Sequence, residues 1–269
     1  MKKKKNFNLL CGGAITLFVL LVVAAGAVWT PWDPNAMDET ARFAGMSLSH
    51  PFGCDNFGRD ILSRVMKGGG MTLLIAAATV AFGTFFGVLL GAVTGYFGGW
   101  LDEVLMRIND VLFAFPSILL ALVFISLLGS GKGNVILALG VAFIPSFARI
   151  VRGEFIRCKT MDYVKLARLA GAKDLRIMFV HILPNTMQVL LPAVMIGFNN
   201  AVLAEAGMSY LGIGVQPPDS SLGRMLSESQ SYLFTSPGSA LFPGLFLVLM
   251  VLGFSLLADG LKEKGAQPV

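Results

Sequence analysis

Charged residues are scarce in this sequence, because Asp, Glu, Lys and Arg together make up 14% of its 269 residues. A soluble domain of similar length carries about 25% charged residues. Hydrophobic residues instead reach 55%, and the mean hydropathy is +0.73. The shortage of charge excludes an ordinary soluble domain. We predict an all-α polytopic membrane protein.

Cysteine and histidine are also rare, with three and two residues respectively. The topology predicted below puts Cys11 in a membrane span, Cys54 in an outside loop and Cys158 in an inside segment, so no disulfide framework is expected. His50 and His181 fall on opposite sides of the membrane, which excludes a clustered Cys/His metal site. The chain is therefore expected to bind no metal.

A complete phosphate-binding loop is missing as well. The stretch from Gly129 to Gly133 contains Gly-Ser-Gly-Lys-Gly, but Ser126 stands where the loop needs its first glycine, and Gly133 replaces the Ser or Thr that would hold magnesium. We interpret this stretch as a short outside turn. Because the sequence also has no catalytic triad and no pair of carboxylates facing a cavity, we expect neither an enzyme nor a bound cofactor.

Long uncharged runs are what the sequence has in abundance. Each is long enough, alone or with flanking residues, to cross about 30 Å of hydrocarbon. Six spans are predicted, at residues 9–29, 71–97, 111–128 (kinked near Pro116), 133–148 (extended by Arg149 and Arg152), 182–204 and 241–257. We divide the chain into an N-terminal span with an outside loop, residues 1–70, and a core, residues 71–269. A cleavable signal peptide ending at Ala25-Gly-Ala27 is an alternative interpretation of the first run.

The distribution of basic residues sets the orientation. Fifteen Lys and Arg residues fall in the segments predicted to lie inside, including Lys2–Lys5, and six fall outside. This positive-inside bias predicts that both termini and the loop at about 149–184 are cytoplasmic. The net charge of +5 is spread over several loops rather than gathered on one face, so we expect no nucleic-acid partner.

The 149–184 loop is the longest basic, helix-compatible segment of the chain. Thr160 is a suitable N-cap, and Asp162 would lie in the first helical turn. Gly171 favours a left-handed turn that ends this helix, and Asp174 would lie near the start of a second one. On a helical wheel of this segment, a stripe of mostly small residues shares one face: Val164, Ala167, Gly171 and Leu175. Such a stripe suits docking onto a partner protein, or alternatively packing on anionic lipid headgroups.

Two features inside the spans bear on packing and transport. Glycines at intervals of four, Gly83, Gly87, Gly91 and Gly95, allow helices to approach closely. The candidate pathway-lining residues are the polar groups of the fifth span and its end, namely Gln188, Asn199, Asn200 and Glu205. The amides among them are equally candidates for hydrogen bonds between helices.

The basic loop resembles the "EAA" loop of permease subunits of ATP-binding-cassette importers. Ala167, Gly171, Leu183 and Pro184 match that motif in register, whereas Lys165 replaces its Glu, Leu166 one Ala and His181 an Ile. The resemblance implies an ATPase-coupling loop that contains Tyr163, Lys165, Leu166, Ala167, Gly171, Ala172, Asp174, Leu183 and Pro184.

Two further blocks extend the resemblance to residues 33–259. The first runs from His50 to Arg64 and is similar to "HPFGTDxxGRDxxSR" of peptide and nickel permeases, through His50, Gly53, Asp55, Gly58, Arg59 and Asp60. The second follows the fifth span, at Glu205 to Pro218. Together these blocks resemble the "C" subunit of dipeptide, oligopeptide and nickel importers.

That resemblance implies a six-helix type I permease in the inner membrane of a prokaryote. It also implies a related second permease, two cytoplasmic subunits carrying ATP and magnesium, an extracytoplasmic solute-binding protein and lipid as partners. A secondary transporter and a membrane enzyme are the rival hypotheses. The former would show repeats and deep ionisable residues, and the latter a nucleophile or metal cluster. The cargo stays open among dipeptides, longer peptides, nickel and metal chelates.

Overall fold

A computed structural model describes residues 7–265, so the basic cap Lys2–Lys5 lies outside the described residues. Ten α-helices fill most of this range: α1 Phe7–Val28, α2 Ile61–Phe97, α3 Gly99–Phe113, α4 Ser117–Leu128, α5 Lys132–Lys159, α6 Asp162–Leu169, α7 Asp174–Arg176, α8 Leu183–Tyr210, α9 Leu222–Ser229 and α10 Gly238–Gly265. Short 3₁₀ turns lie at Glu39–Ala41 and Gln230–Tyr232, and a π-helix at Ile177–Ile182 joins α7 to α8.

Within residues 7–265 the only β-type pairing is an isolated bridge between Cys54 and Asp60. Five helical stretches are long and apolar enough to cross a membrane: α1, α2, α5, Asp174–Tyr210 and α10. The bent pair α3 and α4 would make a sixth span. The predicted all-α polytopic class is therefore confirmed.

The second span begins earlier than predicted. The sequence predicted a start at residue 71, but α2 is continuous from Ile61 to Phe97 through three consecutive glycines. Two of these glycines lie against close neighbours, since a Cβ on Gly68 would lie 3.3 Å from the Ser221 carbonyl carbon and one on Gly69 2.6 Å from the Phe246 ring. Burial thus outweighs the low helix propensity of glycine here.

The third span is broken rather than kinked, which corrects our prediction for residues 111–128. Helices α3 and α4 meet at 89°, with the break just before Pro116. Proline has no N–H to continue the helical ladder, and its ring disfavours the helical conformation at Phe115. Helix α3 is amphipathic, with Asp102 in its first turn, whereas α4 is apolar all round.

Helices α5, α8 and α10 are longer than the predicted spans. Arg149 and Arg152 extend the predicted run 133–148, as expected, and pair with acids on α3, but α5 continues beyond them to Lys159. Helix α8 likewise runs on to Tyr210, and α10 includes the described part of the predicted inside tail.

Contacts divide the chain into two compact units that are interleaved in sequence. The first unit comprises the described residues of Met1–Ala77, Ile125–Val135 and Phe198–Val269. In it α1 packs closely on α10, since a Cβ on Gly260 would lie 2.7 Å from the Leu9 backbone.

The second unit comprises Ala78–Phe124 and Ile136–Gly197. Its core is the contact between α2 and α5 along the predicted glycine series. A Cβ on Gly87 would lie 2.5 Å from Phe147 Cβ, and one on Gly95 2.7 Å from the Arg152 carbonyl oxygen. The prediction of close helix contact along this series is confirmed.

Candidate functional site

The basic segment, defined here as residues 160–184, folds as two short helices around a glycine turn. Gly171 has φ of +82°, its N–H donates to the Arg168 carbonyl at 3.0 Å, and the Ala172 N–H donates to the Ala167 carbonyl at 3.0 Å. This pair of bonds is a Schellman motif, which requires the left-handed conformation that glycine adopts without strain. The predicted turn at Gly171 and second helix at Asp174 are confirmed.

The start of α6 differs from our prediction. Met161 occupies the N-cap position and makes no side-chain cap bond, whereas the Thr160 hydroxyl donates to the Arg157 carbonyl at 2.9 Å. Thr160 therefore ends α5 instead of capping α6. Asp162 does lie in the first turn, where its negative charge suits the helix dipole.

The exposed apolar face of the basic segment is not the predicted small-residue stripe. Val164 is fully buried within the second unit, and Ala167 is half-buried. The exposed surface is instead formed by larger side chains, Leu166 (65% exposed), Leu169 (84%) and Leu175 (67%). Of the stripe, only Gly171 and Leu175 are exposed, because α6 turns its small side toward the rest of the unit.

Lys165, which stands where the related motif has Glu, pairs within its own helix. Its Nζ lies 2.9 Å from Asp162 Oδ1, both side chains are exposed, and the ammonium group lowers the pKa of the Asp162 carboxyl. Tyr163 lies on the same helix, where burial first and the neighbouring Cys158 second raise the pKa of its phenol. Both residues thus have partners inside the chain.

Tyr96, in the last turn of α2, is the centre of a polar network that sequence reasoning missed. Its hydroxyl donates to Asp174 Oδ1 at 2.6 Å and accepts from Arg168 Nη2 at 3.0 Å. Its carbonyl oxygen accepts from Lys159 Nζ at 2.7 Å. Only the Asp174 carboxylate was a candidate beforehand. A tyrosine at the end of an otherwise apolar run was the available signal.

A second polar link lies beside it. Arg152 donates two bonds to Asp102, from Nε to Oδ1 at 2.6 Å and from Nη2 to Oδ2 at 2.7 Å. A bidentate arginine–carboxylate pair restricts the relative orientation of its two side chains more than a single hydrogen bond does. This bond holds α5 against α3 near the basic segment. Leu183 and Pro184 open α8 just beyond the π-helix, with Pro184 exposed.

The predicted His50–Asp60 block lies in the first unit and folds around two buried arginines. Arg59 Nε lies 2.7 Å from Asp55 Oδ2, and Arg59 Nη2 lies 2.7 Å from Glu228 Oε2. Arg64 Nη2 reaches the same Glu228 oxygen at 2.9 Å. We call Asp55, Arg59, Arg64 and Glu228 the arginine cluster. Sequence reasoning missed Glu228, which lies on α9.

The other residues of the block shape this loop. Gly53 and Gly58 have φ of +75° and +76°, in the left-handed region that glycine adopts without strain. His50 Nδ1 lies 2.9 Å from Asp60 Oδ1, while Asp60 Oδ2 accepts from the Ser63 N–H and hydroxyl. Burial, with Asp60 and Asp55 adding, raises the pKa of the Cys54 thiol to about 11.

Glu205, the one acid among the predicted pathway-lining candidates, is fully buried within the first unit. It lies inside α8, which continues to Tyr210, and it is 0% exposed. Its Oε1 accepts from the Ser209 hydroxyl at 2.7 Å, and the hydroxyls of Thr72 and Ser221 are also close to the carboxyl group. Ser209 in turn accepts from the Val215 N–H at 3.0 Å, so this acid organises the loop after α8.

The three amides of the fifth span are placed differently. Gln188 and Asn200 are exposed on the surface of the chain, whereas Asn199 is half-buried. Asn199 Oδ1 is buried and has no hydrogen-bond partner among the residues described. Exposed amides on an apolar helix need another polar group, so Gln188 and Asn200 stay candidates for a pathway or a subunit contact.

In the described part of the chain, no group of three or more His, Cys, Asp or Glu residues can hold a metal ion, and Cys11, Cys54 and Cys158 are free.

Comparison with known proteins gives the same family from several directions. Residues 87–264 match the family described as "Binding-protein-dependent transport system inner membrane component". A glutathione transport system permease protein, GsiD, of Pectobacterium atrosepticum is 41% identical over 93% of this chain and 84% of its own length. A dipeptide transport system permease protein, DppC, of Alkalihalophilus pseudofirmus is 35% identical over 97% of this chain and 86% of its own.

Solved structures show the same fold. An inward-facing form of the MetNI methionine ABC transporter aligns with a TM-score of 0.62, covering 76% of this chain and 97% of that one at 20% identity. An amino acid ABC transporter aligns with a TM-score of 0.57, covering 74% and 93% at 20% identity. The helical arrangement is therefore that of ABC importer permeases.

Proposed function

Because this chain belongs to the family of binding-protein-dependent inner-membrane transport components and is a multi-pass permease subunit of an ABC importer, we propose that it forms half of a pathway for short peptides. The observation that carries the cargo is its similarity to permeases named for glutathione and dipeptide transport. Both are small peptides with free carboxylates. Nickel and metal chelates are the alternative cargoes. Among the described residues, no group of His, Cys, Asp or Glu residues that could hold a metal ion supports them.

We further propose that the basic segment is cytoplasmic and receives an ATP-hydrolysing partner. The support is a surface that the chain leaves uncovered, formed by Leu166, Leu169 and Leu175 beside Arg168 and Arg176. Leucines on a short amphipathic helix suit a shallow apolar groove on a soluble protein. The excess of Lys and Arg in this and the other predicted inside loops supports the same sidedness.

In this proposal, the free energy for transport comes from ATP hydrolysis outside this chain. ATP and magnesium would be held by two separate cytoplasmic subunits, so this chain needs no catalytic residue. Closure of those subunits would displace α6 and α7, and the helices packed on them would carry the motion to the far side of the membrane. A second, related permease would complete the pathway, and an extracytoplasmic solute-binding protein would deliver the cargo.

Transport by the assembled complex tests this proposal. A tagged chain is co-purified with its natural partners and reconstituted in proteoliposomes with the solute-binding protein, with radiolabelled glutathione, alanyl-alanine and nickel offered separately. We expect uptake of at least one of the two peptides only when ATP is supplied, and no uptake of nickel. Uptake without any ATP-hydrolysing subunit would favour a secondary transporter and contradict the proposal. ATP-driven uptake of nickel alone would contradict the cargo.

A further inference from the structure

The hydroxyl of Tyr96 joins both arms of the basic segment to one transmembrane helix. Arg168 lies in the last turn of α6, and Asp174 is the first residue of α7, so the two stand on either side of the Gly171 turn. The hydroxyl accepts from the first at 3.0 Å and donates to the second at 2.6 Å. Since hydrogen bonds to charged groups are the stronger kind, the three side chains hold the turn against the end of α2.

The backbone of Tyr96 is held as firmly as its side chain. Lys159, the last residue of α5, donates from Nζ to the Tyr96 carbonyl at 2.7 Å. This carbonyl belongs to the last turn of α2, where it has no partner within the helix, so the lysine supplies the missing donor. One residue therefore connects α2 to α5, α6 and α7.

The helices that Tyr96 connects are closely packed against one another. One residue earlier, a Cβ on Gly95 would lie 2.7 Å from the Arg152 carbonyl oxygen and 2.8 Å from Phe155 Cβ. The same Arg152 is fixed to Asp102 of α3 by two hydrogen bonds. Close-packed interiors transmit displacement instead of absorbing it. Movement of the α6–α7 turn therefore reaches α2, α5 and α3 together.

We propose that Tyr96 is the positioning residue that transmits displacement of the basic segment to the transmembrane helices, through the hydroxyl that lies between Arg168 and Asp174. This inference rests on the proposed function, because it needs an ATP-hydrolysing partner to displace α6. It adds a specific link: without the hydroxyl, the partner would still bind and hydrolyse ATP, but less of its motion would reach the membrane helices.

Tyr96→Phe isolates the hydroxyl, because phenylalanine keeps the buried ring and its edge contact with Phe97, whose centroid is 5.2 Å away. The measured quantity is the number of peptide molecules imported per ATP hydrolysed by the reconstituted complex. We expect ATP hydrolysis within about twofold of wild type and a ratio lowered by about tenfold or more, as for loss of a hydrogen bond to a charged group. Asp174→Asn should lower the ratio by a similar factor.

The double variant Tyr96→Phe/Asp174→Asn separates a shared link from general damage. If the two residues act through one contact, the ratio of peptide imported to ATP hydrolysed in the double variant should be no lower than in the more impaired of the two single variants. Tyr210→Phe is the matched control. Tyr210 is an exposed tyrosine at the last residue of α8, and no hydrogen bond from its hydroxyl is seen in the described structure. Its ratio should equal that of wild type.

Three results would overturn the link. They are an unchanged ratio in Tyr96→Phe, additive losses in the double variant, and loss of the ATP-hydrolysing subunit from purified Tyr96→Phe complexes, which would indicate a merely structural role. A wild-type complex that imports neither peptide would overturn the proposed function and this inference with it. A wild-type complex that imports peptide while Tyr96→Phe keeps its ratio would overturn the inference alone.

Discussion

At the scale of single residues, buried charges are the strongest constraints in the first unit. Arg64 has a side chain only 3% exposed, and Arg59 only 9%, yet both are ionised groups that need partners. Glu228 supplies one oxygen to both of them, and Asp55 faces them from the loop before α2. A carboxylate that serves two buried cations is hard to replace, because its loss leaves both of them short of an acceptor.

Glu228→Gln is therefore expected to lower stability without changing side-chain size. Removing one partner of a buried ion pair costs about 3 kcal/mol or more, which lowers Tm by roughly 6 °C or more for a chain of this length. Thermal unfolding of the detergent-solubilised protein measures the shift. Glu39→Gln is the control, since Glu39 is exposed and should leave Tm unchanged. Equal Tm values for both variants would contradict a structural role for the arginine cluster.

At the scale of helices, the contact between α2 and α5 organises the second unit. The four glycines from Gly83 to Gly95 face backbone and Cβ atoms of α5; an added Cβ would lie less than 3.0 Å from such atoms at Gly87, Gly91 and Gly95, and 3.1 Å from them at Gly83. Packing through small residues replaces the hydrophobic effect, which is weak between helices surrounded by lipid. The stripe is thus a requirement of the fold and not merely a composition bias.

Gly91→Ala tests that requirement. A Cβ at this position would lie 2.9 Å from the Arg152 nitrogen and 2.9 Å from Val151 Cβ, so α2 and α5 must separate. Overpacking of this kind costs about 1–3 kcal/mol, visible as a lower Tm. Gly153→Ala on α5 is the matched control, because nothing lies within 4 Å of its Cβ and alanine favours the helix. A Gly91→Ala variant as stable as Gly153→Ala would show that the helices are not in tight contact.

Local signals explain which elements the sequence predicts well. The Gly171 turn needs only a glycine with helical patterns on both sides, and the stripe from Gly83 to Gly95 needs only its spacing. The 89° break before Pro116 was harder, because proline inside a span causes either a kink or a break, depending on its neighbours. The continuation of α5 beyond Arg152 was not predicted, because the acids that pair with Arg149 and Arg152 lie 39 and 50 residues earlier.

Long-range partners explain the misses at the candidate site. The Arg59–Glu228 bond joins residues 169 positions apart, and the Tyr96–Asp174 bond joins residues 78 apart. No local pattern encodes such pairs. The surroundings of Glu205 were hidden for the same reason, since the nearby hydroxyls of Thr72 and Ser221 belong to other segments of the chain. The family blocks indicated which stretches matter but not what their residues touch.

At the scale of the whole molecule, the chain presents surfaces of two kinds. Large apolar side chains are exposed along the spans, as expected where lipid or another permease covers them. The basic segment also exposes leucines among positive charges: Leu166 and Leu169 lie outside the candidate spans, and Leu175 lies at the start of the stretch Asp174–Tyr210. We infer that this second surface meets a soluble protein, and the account depends on that protein being the subunit that hydrolyses ATP.

Cross-linking at Leu169, the most exposed of the three leucines, tests this claim most directly. A photoreactive benzoylphenylalanine replaces Leu169 in the assembled transporter, and the same substitution at the fully exposed Phe234 is the control. The account predicts that illumination joins position 169 to the ATP-hydrolysing subunit and leaves position 234 unlinked to it. Attachment of position 169 to the solute-binding protein, or to lipid alone, would contradict it.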